Sequence, residues 1–150
     1  MSGEDSNGAF SVSGFRDGLT VNVLGYENSR PATVSDANWL RAHIQLETRG
    51  CVVRVDAALT TQDVKYFLDE LEVVHSALDG TASLTTDEEA ISLRVKVTKT
   101  GAAQISGELK ELGSSNFKLE FEFESDQSYL WRTLAGLRGI HQMYPIVDSV

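Results

Sequence analysis

The feature of this sequence that most constrains its fold is a hydrophobic period that switches, twice, from two residues to between three and four. Residues 51–57 place apolar side chains at every second position, which predicts a strand with one apolar face. Between residues 61–75 the apolar positions instead fall three and four apart, which predicts an amphipathic helix. Thr60 and Asp63 form a variant capping box that would start this helix, and Asp79-Gly80 would end it.

The same switch occurs again in the second half of the chain. Three segments between residues 91 and 123 alternate, and a helical stripe follows from Leu130 to Ile140. The halves align when each position is paired with the one 66 residues later, as in Val53 with Leu119. This agreement fits either an internal duplication or a coincidence between two strand–turn–helix segments.

Two further alternating segments, residues 19–23 and 41–48, precede the first helix. The resulting order is β-hairpins, helix, β-hairpins, helix. Antiparallel strands punctuated in this way predict an α+β fold, with two helices packed on the sheet. We expect residues 1–8, which are small, polar and acidic, to be a disordered leader. We expect residues 9–150 to form a single α+β domain.

The composition excludes several classes of function. The chain of 150 residues carries 13 Lys and Arg against 22 Asp and Glu, a formal charge of −9. Nucleic acids and anionic membranes both bind positively charged surfaces, so we expect neither as a partner. No apolar run approaches the roughly 18 residues of a membrane span. No signal peptide is visible, and a lone cysteine, Cys51, fits a reducing cytoplasm, where we expect the protein to act.

None of the common catalytic or ligand-binding motifs occurs in this sequence, neither a glycine-rich phosphate loop nor a His-Glu-x-x-His or Cys-x-x-Cys pair. His43 is expected on a sheet surface. His75 and His141 are expected near helix C-termini, where a protonated imidazole interacts favourably with the helix dipole. Cys51 falls on the apolar face of its strand, so we expect a buried, inert thiol. We therefore expect no catalytic residue, no metal site and no cofactor.

Two groups of carboxylates are candidate partner-binding residues, one on the first predicted helix and one on the polar face of the last strand. They are Asp69, Glu70 and Glu72, and Glu120, Glu122 and Glu124. Three like charges on one strand face repel one another unless a cation or a partner lies against them. These groups are either a solvated surface or a surface that steers a basic partner toward the chain.

Two polar–aromatic clusters have an immediate structural interpretation. Asp36 and Asn38, before a predicted strand, suit a side-chain-to-backbone turn. Trp39, beside them, would anchor that turn on the core. Asp126, before the last helix, suits a helix cap that accepts backbone N–H bonds.

These clusters belong to a longer pattern of four segments. In chain order they are Gly25-Tyr26-Glu27, Asp36-Ala37-Asn38-Trp39-Leu40, Asp126-Gln127-Ser128-Tyr129-Leu130 and Tyr144-Pro145-Ile146. This order resembles the WapI family of bacterial immunity proteins over residues 10–147, although Trp131 stands where the family pattern has proline. The resemblance implies that its motif residues determine the fold and need not mark the toxin contact. Those residues are Asp36, Asn38, Trp39, Asp126, Gln127 and Tyr129.

The resemblance implies a cytoplasmic, non-catalytic antidote that binds and blocks a secreted toxin domain, in the named case one that cleaves transfer RNA. A nuclease holds an anionic substrate and is usually basic, so an inhibitor of charge −9 has the sign needed to bind it. Two alternatives stay open. One is a structural or self-associating α+β module without a toxin partner, in which a strand at residues 117–123 pairs across a homodimer. The other is a small enzyme or ligand carrier with a pocket between sheet and helix.

Overall fold

The computed structural model describes residues 8–86, 90–111 and 117–150, which form eight strands and three helices. In chain order these are β1 (Ala9–Ser13), β2 (Gly18–Tyr26), α1 (Val34–Ala37), β3 (Trp39–Thr48), β4 (Cys51–Thr60), α2 (Thr61–Ala77), β5 (Gly80–Thr85), β6 (Ile91–Val97), β7 (Ala102–Lys110), β8 (Lys118–Asp126), a 3₁₀ turn (Gln127–Tyr129) and α3 (Leu130–Met143). All but the last residue of the expected disordered leader lies outside the described residues.

The strands form two four-stranded antiparallel sheets, each ordered as in the chain: β1 to β4 in the N-terminal sheet and β5 to β8 in the C-terminal sheet. Each sheet is followed by a helix, so the predicted α+β fold is confirmed. The sequence did not indicate that the strands divide into two sheets. The sequence analysis also missed the short helix α1. It missed the strands β1 and β5 as well, which are short and lie at sheet edges.

Both missed strands are covered by helices. Helix α2 packs mainly against β5, and α3 packs mainly against β1. On the β1 side, the buried Thr133 hydroxyl donates to the Ser11 carbonyl at 2.6 Å. Gly136 lets α3 approach so closely that a Cβ there would lie 2.6 Å from the Ala9 carbonyl oxygen. The helices thus protect strand edges that would otherwise be open to pairing with other chains.

The two halves share a hydrophobic core. Phe10 of β1 and Phe67 of α2 are fully buried, and their ring centroids lie 6.0 Å apart. Burying a side chain of this size stabilises a fold by about 1.5–3 kcal/mol. This contact therefore ties the helix that follows the N-terminal sheet to that sheet's edge strand.

The 66-residue offset holds for the last strand and helix of each half. Strand β4 and helix α2 occupy residues 51–60 and 61–77, and the same positions 66 residues later hold β8, the 3₁₀ turn and α3. The hairpins upstream depart from it, because two residues join β3 to β4 whereas residues 111–117 separate β7 from β8. The two halves therefore match in their last strand and helix, but not in the length of the connection before that strand.

The ends of α2 follow from local chemistry. The predicted capping box is confirmed: the Thr60 hydroxyl accepts from the Asp63 N–H at 3.1 Å, and the Asp63 carboxylate accepts from the Thr60 N–H at 2.9 Å. The helix ends at Leu78, whose φ of 54° lies in the left-handed region.

The prediction for Cys51 was wrong, because the thiol is exposed. Cys51 opens β4 beside the hairpin turn, where the inward face of the strand extends beyond the core.

Candidate partner-binding surface

The three candidate acids of α2, predicted as partner-binding residues, are each engaged within the molecule. They are Asp69, Glu70 and Glu72. The Lys65 ammonium lies 2.7 Å from the Asp69 carboxylate, one turn away. The backbone N–H of Ser83 on β5 donates to Glu70 at 2.9 Å. Arg138 on α3 donates two bonds to Glu72 Oε2, at 2.8 and 3.1 Å. This group therefore joins α2 to its neighbours.

The acidic residues of β8 are differently placed. Glu120, Glu122 and Glu124 alternate with inward-facing side chains and are exposed on the outer face of this edge strand. The Gln104 amide donates to Glu122. Glu120 is paired in the sheet with another acid, Glu108, whose own carboxylate lies near two lysines. Within the described ranges, the carboxylates of Glu120 and Glu124 have no polar partner, so their charge faces solvent.

Two of these carboxylates line a surface groove that has a volume of about 810 Å³. The groove runs between β8, the turn that joins β1 to β2, and the β3–β4 hairpin. Its lining residues are Phe15, Arg16, Asp17, Thr48, Arg49, Gln104, Glu122, Phe123 and Glu124. Acids on β8 and arginines on the turns therefore face one space, and no ion pair joins them among the residues that the structure describes.

A cluster of exposed aromatic rings lies beside the groove. Phe15 is 63% exposed and makes an edge contact with Tyr129, with ring centroids 5.8 Å apart. Tyr129 lines an adjacent cleft together with Trp131, which is 57% exposed. The Arg132 guanidinium lies 5.3 Å from the Trp131 ring, within cation–π range. Sequence reasoning missed Phe15 and Trp131 as functional candidates.

The turn that carries Phe15 is held firmly against β8. Its own backbone closes with a 2.8 Å bond from the Gly14 N–H to the Asp17 carbonyl. The Phe15 N–H donates to the Glu124 carbonyl at 3.4 Å, and the Asp17 carboxylate accepts from the Thr48 hydroxyl. A Cβ at Gly14 would lie 2.5 Å from the Phe123 ring, so only glycine fits at this distance.

Three of the four segments of the family pattern, those around Tyr26, Asn38 and Tyr144, meet one another. Asn38 is 1% exposed, and its side-chain amide bonds to the backbone of Val34 and to both backbone groups of Val147. Tyr26 and Tyr144 make an edge contact at 5.2 Å, and the Tyr26 hydroxyl donates to the Pro145 carbonyl at 3.4 Å. Burial and the neighbouring Tyr144 raise the pKa of Tyr26 above its ordinary value.

Other motif residues serve local structure. Asp126 is the N-cap of the 3₁₀ turn and accepts from both the Ser128 N–H, at 3.0 Å, and its hydroxyl, at 2.6 Å. These two donors lower the pKa of Asp126. The Gln127 N–H donates to the Gly101 carbonyl, and Trp39 opens β3, half-buried. Asp36 lies in α1, where Thr33 rather than Asp36 provides the N-cap.

The histidines lie where the sequence placed them. His43 is half-buried on the outer face of the N-terminal sheet, and its Nδ1 is 3.2 Å from Asp56. His75 and His141 occupy the last turns of α2 and α3. Among the described residues, no three His, Cys, Asp or Glu side chains are grouped to hold a metal ion. No helix in those ranges has the length and apolarity needed to cross a membrane.

The fold defines an α+β protein built from two antiparallel four-stranded meanders, each followed by a helix. A family model described as the Immunity protein WapI-like family matches residues 12–145, and the chain belongs to this family. No curated protein sequence matches it significantly.

A solved structure described as "Crystal structures of trypanosoma bruciei MRP1/MRP2" is similar in fold. Its TM-score is 0.50 at 12% sequence identity, and the match covers 91% of this chain and 86% of that one. At this identity the similarity concerns the fold alone.

Proposed function

We propose that this chain is a non-catalytic immunity protein that binds and neutralises a cognate bacterial toxin domain in the cytoplasm. The observation that carries the proposal is the match to the WapI-like family over residues 12–145. The exposed acidic and aromatic surface beside β8 supports it, because binding proteins act through such surfaces.

The charge of the chain supports a basic, nuclease-type toxin as the partner. A nuclease concentrates positive charge where it holds nucleic acid, and this chain carries a formal charge of −9. The exposed carboxylates of Glu120 and Glu124 supply negative charge that nothing in the described structure neutralises. Complementary charge would raise the rate of association with such a toxin.

Co-expression tests the proposal directly. The product of the neighbouring gene, as the candidate toxin, is expressed in bacteria with and without this chain, and growth is measured. Rescue of growth, together with co-purification of the two chains, supports an immunity role. Toxicity that persists although this chain is present and folded would contradict it. A catalytically inactive toxin variant provides the matched control, because it should bind without affecting growth.

Self-association is the second candidate, and the position of β8 at an open sheet edge favours it. The Phe15 N–H already donates to the Glu124 carbonyl, however. The turn between β1 and β2 therefore limits how far the C-terminal end of β8 can pair with a strand of a second copy. Light scattering distinguishes the two functions. A dimer without affinity for the adjacent toxin would favour a self-associating module.

A further inference from the structure

Phe15, Tyr129 and Trp131 place exposed aromatic side chains beside a groove whose acids and arginines form no ion pair with one another in the described ranges. We propose that this surface, with Glu122 and Glu124 at its edge, is where the chain docks on its partner. The occupant we infer is a basic protein surface that packs an apolar side chain against Phe15 and Trp131. It also places Lys or Arg side chains against the β8 carboxylates. This inference rests on the proposed toxin-binding function.

The exposure of these rings is the first argument. Phe15 and Trp131 are 63% and 57% exposed, although each could stabilise the fold by being buried. Aromatic residues and arginine dominate the energetics of protein interfaces, and an aromatic ring contributes a large contact area with only two rotatable bonds. Arg132, stacked near Trp131, adds the third residue type that is enriched at such sites.

The rigidity of the turn is the second argument. Phe15 is hydrogen-bonded to β8 and Asp17 to the β3–β4 hairpin, while Gly14 closes the turn and lies against Phe123. A ring held on an anchored turn loses little conformational entropy when a partner covers it. The turn is thus built to hold Phe15 outward in one position.

The charges around the groove favour a partner that is basic where it faces β8. Glu122 and Glu124 line one side of the groove, and Arg16 and Arg49 line another, with Asp17 between the turns. Glu120 extends the acidic row along β8 away from the groove. A basic surface is therefore attracted along β8, while the two arginines favour a partner with carboxylates or carbonyls at matching positions. Mixed charge of this kind determines how a partner is positioned on the surface as well as which partner binds.

The test measures binding, by calorimetry, to an inactive variant of the candidate toxin that the co-expression experiment identifies. The double variant F15A/W131A should bind at least about 30-fold more weakly than the wild type. The matched control is Y66A/V73A, which removes two side chains of α2 that are 65% and 69% exposed. It should bind within about threefold of the wild type.

Hydrogen exchange on the wild-type complex provides a readout that needs no variant. Protection should appear at residues 13–17 and 127–132. If the double variant binds like the wild type, or protection falls on α2 instead, the docking surface is wrong while the immunity function stands. If the wild type itself does not bind the adjacent toxin, the proposed function fails and this inference fails with it.

Discussion

The side-chain amide of Asn38 pairs with both backbone groups of Val147, 109 residues later in the chain. Its Oδ1 accepts from the Val147 N–H at 2.8 Å, and its Nδ2 donates to the Val147 carbonyl at 3.0 Å. Asn38 thus makes the two hydrogen bonds with the backbone of the C-terminal segment that a neighbouring strand would otherwise make. The same Oδ1 accepts from the buried Thr61 hydroxyl at the start of α2. One amide therefore joins α1, α2 and the segment after α3.

Replacing this amide should be costly. In Asn38→Ala, Val147 loses both its partners, Thr61 loses its shorter hydrogen bond and Val34 loses a donor, which we expect to lower the free energy of unfolding by about 3 kcal/mol. Urea denaturation measures this change, and hydrogen exchange should show faster exchange at Val147. Asn22→Ala, on the exposed face of β2, is the control and should change stability by less than about 0.5 kcal/mol. A stable Asn38→Ala protein with Val147 still protected would contradict the role of this amide.

The two acidic groups should respond differently to neutralisation. The triple variant D69N/E70Q/E72Q removes the charge that strengthens the contacts with Lys65, Ser83 and Arg138. We expect it to lose about 1–2 kcal/mol of stability, because each exposed ion pair or hydrogen bond contributes little alone.

The triple variant E120Q/E122Q/E124Q, its counterpart on β8, should keep the wild-type stability within about 0.5 kcal/mol. Its association with a basic toxin should slow by about three- to tenfold at low salt, with a weaker dependence on salt. Denaturation and stopped-flow kinetics on both variants give the comparison. An unchanged on-rate for the β8 variant at low salt would exclude that strand face from steering.

The sequence predicts the elements that have a strong period and a local start signal. The period of three and four in α2, with its capping box, depends on neighbours within the same segment, and so does the alternation of β8. Strands β1 and β5 escaped prediction because they are short edge strands, and β1 is covered by α3, which lies more than a hundred positions away in the chain. Cys51 was misjudged because alternation gives the face of a side chain and not where the core ends.

The candidate surface was predicted only in part. Acidic residues are visible in the sequence, but whether each has a partner depends on tertiary contacts such as Glu72 with Arg138. Phe15 had a usable signal, since a phenylalanine in a turn between Gly14 and Asp17-Gly18 has no apolar neighbours to bury it. Its approach to Tyr129 joins residues more than a hundred positions apart, which no local pattern contains.

The pH dependence of stability should carry a contribution from Asp126. The Ser128 hydroxyl and N–H lower the pKa of this carboxyl in the folded state, so its stabilising effect is present above the unfolded pKa. The effect is lost as the pH falls through the folded pKa, that is, below about pH 4. Wild type should therefore be more stable than Asp126→Asn at pH 7, and the difference should shrink in acid.

Denaturant melts of the two proteins between pH 7 and pH 2 measure this difference. Asp79→Asn, which removes an exposed carboxylate just beyond α2, is the control for charge alone. If the Asp126 and Asp79 variants show the same pH profile, the cap contributes nothing specific.

Gly136→Ala should destabilise the protein although alanine is the better helix former by about 1 kcal/mol. The new Cβ would lie 2.6 Å from the Ala9 carbonyl oxygen and 2.7 Å from the Phe10 Cα, which are backbone atoms that cannot rotate away. Helix α3 must therefore move off β1, at a net cost of about 2–3 kcal/mol. Urea denaturation and hydrogen exchange at β1 amides test this, with Gly18→Ala as the control because its Cβ would meet nothing within 4 Å. A Gly136→Ala protein as stable as the wild type would show that α3 does not need this close approach to cover the edge of the N-terminal sheet.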